Sequence, residues 1–338
     1  MKKLLAIAVA AALVAPAAAM AETTLYGKLH ASYGEVKDNV GNKRTGVESH
    51  ASRIGIKGSH ALNNGLEATY GLEYGINLDG DDGRSTYGEN IDSLGKASDS
   101  ASDSDSNGFT SRNQFVGLKG GFGEVRVGKH DTPAKLATAG QDVFADTYAD
   151  LDNMIAADGH RVNNAVAYIN KVGPVGFAVA HSSGTGLKGV DEEGDNGVDA
   201  NSAMLNYGNG PWYAGLGYTQ VKDTLKGGNL GLGWKSEAGH QANLIYEEVD
   251  YDDPATGDDE NILVNGVAKM GAVGLKAQYG EGKRDGLGKE KLASVGLDYS
   301  LGKKTSVYLL HSQDKNPTRA AGDTNKVKAT AVGLVTEF

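Results

Sequence analysis

The chain contains no cysteine, which excludes disulfides, thiolate metal sites and thiol nucleophiles. Proline is scarce, six in 338 residues, while glycine reaches 49. Glycine without proline argues against collagen-like repeats and proline-rich linkers, and suits many strands joined by tight turns. No run of about 18 apolar residues follows the first 21, so the rest of the chain has no helix able to cross a membrane. If it is membrane-embedded, it crosses as strands. Basic residues are outnumbered, 33 Lys and Arg against 43 Asp and Glu, a formal net charge of −10. That balance disfavours nucleic-acid partners, which call for basic stripes.

Residues 1–21 read as an export leader. Lys2 and Lys3 supply a positive start, Leu4 to Val14 a short apolar run, and Ala19-Met20-Ala21 a small-residue cleavage site. The mature chain is expected to begin at Glu22, as one domain over 22–338. Losing Lys2 and Lys3 takes the net charge from −10 to −12. The mean hydropathy of −0.37 would suit a soluble protein. It equally suits a large barrel, in which only alternate strand residues face lipid.

The mature chain alternates with period two. Leu25, Leu29, Ala31 and Tyr33 interleave with Tyr26, Lys28, His30 and Ser32; Ala293, Val295, Leu297 and Tyr299 interleave with Ser294, Gly296, Asp298 and Ser300. Such alternation predicts strands with one apolar and one polar or small face. Sixteen segments follow: 24–36, 52–62, 66–77, 109–119, 123–132, 161–171, 175–184, 200–208, 211–222, 229–236, 240–250, 260–270, 273–282, 290–301, 304–315 and 326–338. Most are near the 9–11 residues a tilted strand needs to span a bilayer.

The connections alternate in length. Seven are tight, among them Asn63-Asn64-Gly65, Gly120-Gly121-Phe122, Asn209-Gly210 and Gly271-Ala272; eight are longer or more polar, including 37–51, 78–108, 133–160, 185–199, 251–259 and 316–325. A soluble sandwich has no reason for this rhythm, whereas a membrane barrel has short periplasmic turns and long external loops. The even strand count lets strand one pair with strand sixteen, and closure matters because open edges in lipid leave backbone groups unsatisfied. Tyrosines outnumber other aromatics, 15 against six Phe and two Trp, and many sit at segment ends, where interfacial girdles form. The sequence therefore predicts an all-β fold, a 16-stranded antiparallel transmembrane barrel.

Motifs for chemistry fail on inspection. Asp103-Ser104-Asp105-Ser106-Asn107-Gly108 matches half of a calcium loop, but position twelve is Gln114 and a strand follows. Gly184-Thr185-Gly186-Leu187-Lys188-Gly189 spells a dinucleotide fingerprint, yet runs into Asp191-Glu192-Glu193 with no predicted helix. There is no Gly-x-Ser-x-Gly elbow or His-Glu-x-x-His, and the eight histidines are scattered. Nothing points to an enzyme, a metal or a cofactor.

The ordered motifs do resemble a known family. Leu25-Tyr26-Gly27-Lys28, Ser52-Arg53-Ile54-Gly55-Ile56-Lys57-Gly58, Ser111-Arg112-Asn113-Gln114-Phe115-Val116-Gly117-Leu118-Lys119, Phe122-Gly123-Glu124-Val125-Arg126-Val127-Gly128-Lys129 and Arg161-Val162-Asn163-Asn164-Ala165 are similar to strands of the general trimeric porins of Gram-negative outer membranes. The resemblance spans 22–338. It departs at Lys129, where many relatives carry Arg, and in 133–160, which lacks the Pro-Glu-Phe-Gly-Gly run of enteric members.

The resemblance implies a homotrimeric outer-membrane channel for small polar solutes. It also implies that 133–160 folds inward as a constriction loop, and that Phe338 is a signal to the barrel-assembly machinery. It places Lys28, Arg53, Arg112 and Arg161 on a basic wall. Asp142, Asp146 and Asp150 are expected to form the matching acidic wall, from a loop that also holds Asp152 and Asp158 against Lys135 alone. Alternation independently turns Lys28, Arg53 and Arg161 away from lipid, with Val162 on the opposite face. Arg112 shares parity with Val116 and Leu118, which leaves its side open. Opposed charge rows across a wet gap order water and reject apolar solutes, and the excess of Asp predicts weak cation preference. Acidic loops at 78–108 and 250–260 suit bridging to lipopolysaccharide phosphates through divalent cations, or simple solvation. An adhesin or receptor barrel acting through its external loops is the alternative function.

Overall fold

The computed structural model describes residues 23–79, 109–155, 161–184, 197–253, 257–286, 288–316 and 326–338. The expected leader, the Ser/Asp run at 98–107, the half calcium loop at 103–108, Asp158 and most of 185–199 lie outside those residues.

Seventeen strand segments form one antiparallel sheet. They are β1 (Thr24–Asp38), β2 (Lys43–Ser49), β3 (Arg53–Ala61), β4 (Glu67–Ile76), β5 (Phe109–Gly120), β6 (Gly123–Asp131), β7 (Arg161–Val172), β8 (Val175–Ser182) and β9 (Ala200–Asn209). The second half comprises β10 (Trp212–Val221), β11 (Leu225–Lys235), β12 (Gln241–Tyr251), β13 (Asp259–Met270), β14 (Val273–Arg284), β15 (Gly288–Ser300), β16 (Thr305–Lys315) and β17 (Lys326–Glu337). β2 and β3 lie end to end along β1, with Ala31 opposite Ser49 and Lys28 opposite Arg53. They make one stave broken at 50–52, where Ala51 takes φ 46°, so the barrel has 16 staves.

β17 returns beside β1, Lys28 facing Glu337 and Asp38 facing Val327, and the cylinder closes. Phe338 completes the seam by exchanging backbone hydrogen bonds with Gly27, at 3.1 and 3.3 Å. A Cβ on Gly27 would come within 2.3 Å of the Phe338 ring, so this seam needs a glycine.

Alternation becomes a greasy exterior and a polar interior. Leu309, Val332, Leu334, Val295 and Ile262 are about half exposed on the outer face. Their neighbours Ser312, Asp314, Ser294 and Asn261 are buried on the inner one. The tight turns hold because left-handed positions fall on residues that tolerate them, such as Asn64 at φ 62° and Gly271 at φ 59°.

Two connections differ from the sequence reading. Residues 37–51 are not a long loop: β1 and β2 continue as a hairpin beyond residue 37. Its turn is tied by the Asp38 carboxylate, which accepts from the backbone N–H of Val40 and Asn42. The run Lys43 to Ser49 alternates among polar and charged residues, so it carries no hydrophobic period. Likewise β11 starts at Leu225, because Asp223 at φ 52° lets the chain reverse within three residues.

Candidate functional site: an inward loop against a basic wall

After β6 the chain turns inside the barrel. Thr132 caps the short helix α1 (Pro133–Thr138), its hydroxyl accepting from Lys135 N at 3.3 Å. From there to Ile155 the segment makes a circuit of the inner wall. Its carbonyls are held by a ladder of side chains on successive staves. Asn229 donates to Ala134 O, Tyr213 to Ala137 O, Asn243 and Asn265 to Gln141 O, Gln278 to Ala149 O and Asn261 to Met154 O. Each buried bond of this kind is worth about 1 kcal/mol net, and the set registers the loop.

Apolar contacts reinforce the ladder. Leu151, Met154 and Ile155 pack on Ile245, Leu263 and Leu292, three residues at inward positions that would otherwise meet water. Glycines in the wall admit the loop: a Cβ on Gly215 would lie 2.2 Å from Ala137 O, and one on Gly280 2.4 Å from Met154 Sδ.

The far end of the circuit reaches β1 and β3. Asp146, at φ 58°, presents its Oδ2 to Lys28 Nζ at 2.6 Å and to Arg53 Nη1 at 3.3 Å. Burial pushes the Asp146 carboxyl up, but Lys28 and Arg53 outweigh it and hold it down to about 2. Beside this bridge, the Tyr148 ring stands edge-on to His50 at 4.9 Å, and its hydroxyl donates to Glu48 at 2.9 Å.

Arg112 lies on the same inner face. Its Nε donates to Glu73 Oε1 at 2.7 Å, and Tyr26 donates to the other Glu73 oxygen at 3.0 Å. The parity conflict with Val116 and Leu118 is resolved by a β-bulge opposite Leu72 and Tyr74. One extra residue reverses the phase of β5 and turns Arg112 inward.

Three expectations change. Asp142 and Asp150 do not form an acidic wall; they tie the loop to itself. Asp142 accepts from the N–H of Phe144 and Leu151, and Asp150 from those of Asp146 and Asp152. Burial pushes Asp142 up to about 6, and burial with Asp142 and Asp152 nearby pushes Asp150 well above the usual carboxylate range.

Arg161 is also withdrawn from the lumen. Its side chain is 4% exposed and pairs with Asp131 at 2.9 Å, clamping the base of the loop with Asn113. Val162 is buried instead of facing lipid, because a register shift at Gly128/His130 and the positive φ of Asn164 break the alternation there. Finally, no gap separates the remaining acid from its bases, since Asp146 touches Lys28 and Arg53 directly.

The sequence reading missed Glu73, Asp131 and the amide ladder. Their signal was there: Asn229, Asn243, Asn265 and Gln278 occupy inward parity on four consecutive staves. Among the described residues, no group of three or more His, Asp or Glu could hold a metal ion.

A sealed barrel, apolar outside and polar inside, with a loop laid into its bore against Lys28 and Arg53, defines a membrane channel protein. The comparisons give the same class. A family model described as Gram-negative porin matches residues 6–319. Outer membrane porin protein 32 of Delftia acidovorans is 28% identical over 338 residues, covering 91% of this chain and 87% of that one. The structure of an anion-selective porin from Comamonas acidovorans matches with a TM-score of 0.72 at 22% identity, covering 94% of this chain and 100% of that one. In-vitro folded OmpT of Vibrio cholerae, in trimer form, matches with a TM-score of 0.63 at 14% identity, covering 94% and 99%.

The chain belongs to the Gram-negative porin family. It is a porin of the outer membrane, a channel and not an enzyme.

Proposed function

We propose that the channel passes ions and small hydrophilic solutes by diffusion, that its constriction lies where Asp146 meets Lys28 and Arg53, and that it favours anions weakly. The carrying observation is this three-residue bridge: one carboxylate faces two cations, while Arg112 is balanced by Glu73. Within this described bridge one positive charge is left over, and a low-dielectric wall focuses its field.

The cation preference expected from the Asp count is not supported. Asp142 and Asp150 point into the loop, and Glu247, Asp259, Glu290 and Asp314 are each at most 4% exposed. Permeating ions do not meet those carboxylates directly. The neighbour named as anion-selective is consistent with this sign. Reversal potentials in a KCl gradient test it: a clear cation-selective sign refutes the proposal.

The same reading includes a homotrimer, consistent with the trimer form of the Vibrio neighbour, and a leader removed before Glu22, which N-terminal sequencing of the outer-membrane protein checks. It also takes Phe338, 45% exposed at the seam, as the residue that the assembly machinery reads. Lipopolysaccharide contact through divalent cations at the acidic loops is the remaining partner, tested by whether chelation lowers copurifying lipopolysaccharide.

A further inference from the structure

Lysines face one another across neighbouring strands on one part of the barrel's outer wall, at the end that carries the long connections. Lys283 stands directly opposite Lys289, and Lys291 opposite Lys315. The pattern continues over the seam, where Lys315 is opposite Lys326, and Lys37 is opposite both Lys328 and Lys43. Their chain neighbours Glu290, Asp314, Val327 and Val36 are buried on the inner side, so the lysines point outward.

Like charges directly opposite across a sheet are destabilising. Five such pairs in a chain of formal net charge −10 call for an anionic partner. The protein supplies little of it. Glu35, Glu281 and Asp285 hold Lys43, Lys291 and Lys283 at 2.5, 2.6 and 2.7 Å. Among the described residues, Lys37, Lys289, Lys315, Lys326 and Lys328 have no carboxylate partner. The patch is also bounded, since on β12 and β13 the sign reverses and Glu248 stands opposite Glu260 on the outer face.

The level of the lysines narrows the occupant. Lys291 and Lys328 lie four residues from Val295 and Val332, which are exposed on the lipid side; that is about 13 Å along a strand. The ammonium groups therefore stand just beyond the apolar band, at headgroup depth on the outer side. An anion at that depth is carried by the lipid itself. A phosphate group, with several acceptor oxygens, can sit between two ammonium groups.

We propose that this lysine patch binds the phosphate groups of lipopolysaccharide in the outer leaflet directly, without a bridging divalent cation. The inference rests on the lipopolysaccharide reading above for its partner, and adds a contact on the strand wall, separate from the acidic loops.

The test measures binding of purified lipopolysaccharide to the folded protein in uncharged detergent, by native-gel shift, with EDTA present. Wild type should bind. The variant Lys289→Gln/Lys315→Gln/Lys328→Gln should bind at least about tenfold more weakly, since each lysine beside an anionic lipid surface contributes about fivefold. Lys289→Arg/Lys315→Arg/Lys328→Arg should keep binding, and Lys222→Gln/Lys226→Gln, exposed elsewhere on the rim, should leave it unchanged. Binding that EDTA abolishes in wild type overturns the direct contact and leaves the cation-bridged loops standing; no binding even with added calcium removes both. Equal affinity for dephosphorylated lipopolysaccharide, or full displacement by inorganic phosphate, overturns the ligand. A glutamine variant that loses oligomer on the gel yet keeps lipopolysaccharide would make the patch a contact between copies, and refutes the proposal as well.

Discussion

Replacing Asp146 by Asn removes the one carboxylate that Lys28 and Arg53 share, and the structure sets the size of two effects. The shift of its pKa from 3.8 to about 2 corresponds to about 2 kcal/mol of attraction between loop and wall. The loop should therefore stay in place, held by its amide ladder, but with a looser tip. The second effect is on ions. One charge about 5 Å from a permeating ion in water is worth about 0.8 kcal/mol before screening. At about 0.1 M salt, with a Debye length near 10 Å, the anion-to-cation permeability ratio should rise about fivefold; at about 1 M, where that length is near 3 Å, it should rise less than about twofold. Reversal potentials of wild type and Asp146→Asn across KCl gradients at both ionic strengths measure this. A ratio that does not move toward anions, or moves equally at both strengths, would refute the placement of Asp146 at the constriction.

Other consequences follow from the same geometry. Asp142, pushed up to about 6, favours the docked loop while protonated and loses that contribution as pH rises through 6; Asp146 contributes above 3.8 and fails only as pH falls toward 2. Hydrogen exchange of the 142–152 amides, corrected for intrinsic rates, should thus show greater protection at about pH 5 than at about pH 8, with the difference shrinking in Asp142→Asn; equal protection would count against the buried pair. Gln278→Leu deletes the bond to Ala149 O, and should cost about 1 kcal/mol and increase open-channel flicker without changing the strand signal in circular dichroism. Gly27→Val drives a side chain into the Phe338 ring and should lower the heat-modifiable folded fraction in outer membranes; normal assembly would show that the seam tolerates it.

The barrel was legible because period-two alternation is imposed residue by residue by lipid on one side and water on the other. It failed where that imposition is absent: Lys43 to Ser49 is polar on both faces, and reads as loop although it is strand. Lys28 and Arg53 could be placed inward from their neighbours Leu29 and Ile54 alone. Arg112 and Arg161 could not, because bulges at β5 and β6–β7 shift the phase without leaving a mark in composition. The loop aspartates were harder still. Only the folded circuit decides that Asp146 reaches the wall while Asp142 and Asp150 turn back, since all three look alike in sequence. What could have been read, and was not, is the inward set of Asn and Gln together with Ile245, Leu263 and Leu292. Apolar residues at wet positions announce a covering segment.

The most direct test of the whole account is single-channel recording of the purified, folded protein in a lipid bilayer. A bore sealed from lipid, with the inward loop as its proposed constriction, predicts discrete, reproducible conductance steps whose reversal potential lies on the anion side in a salt gradient. Folded protein that inserts but yields no steps would contradict the open, water-filled barrel on which everything else depends.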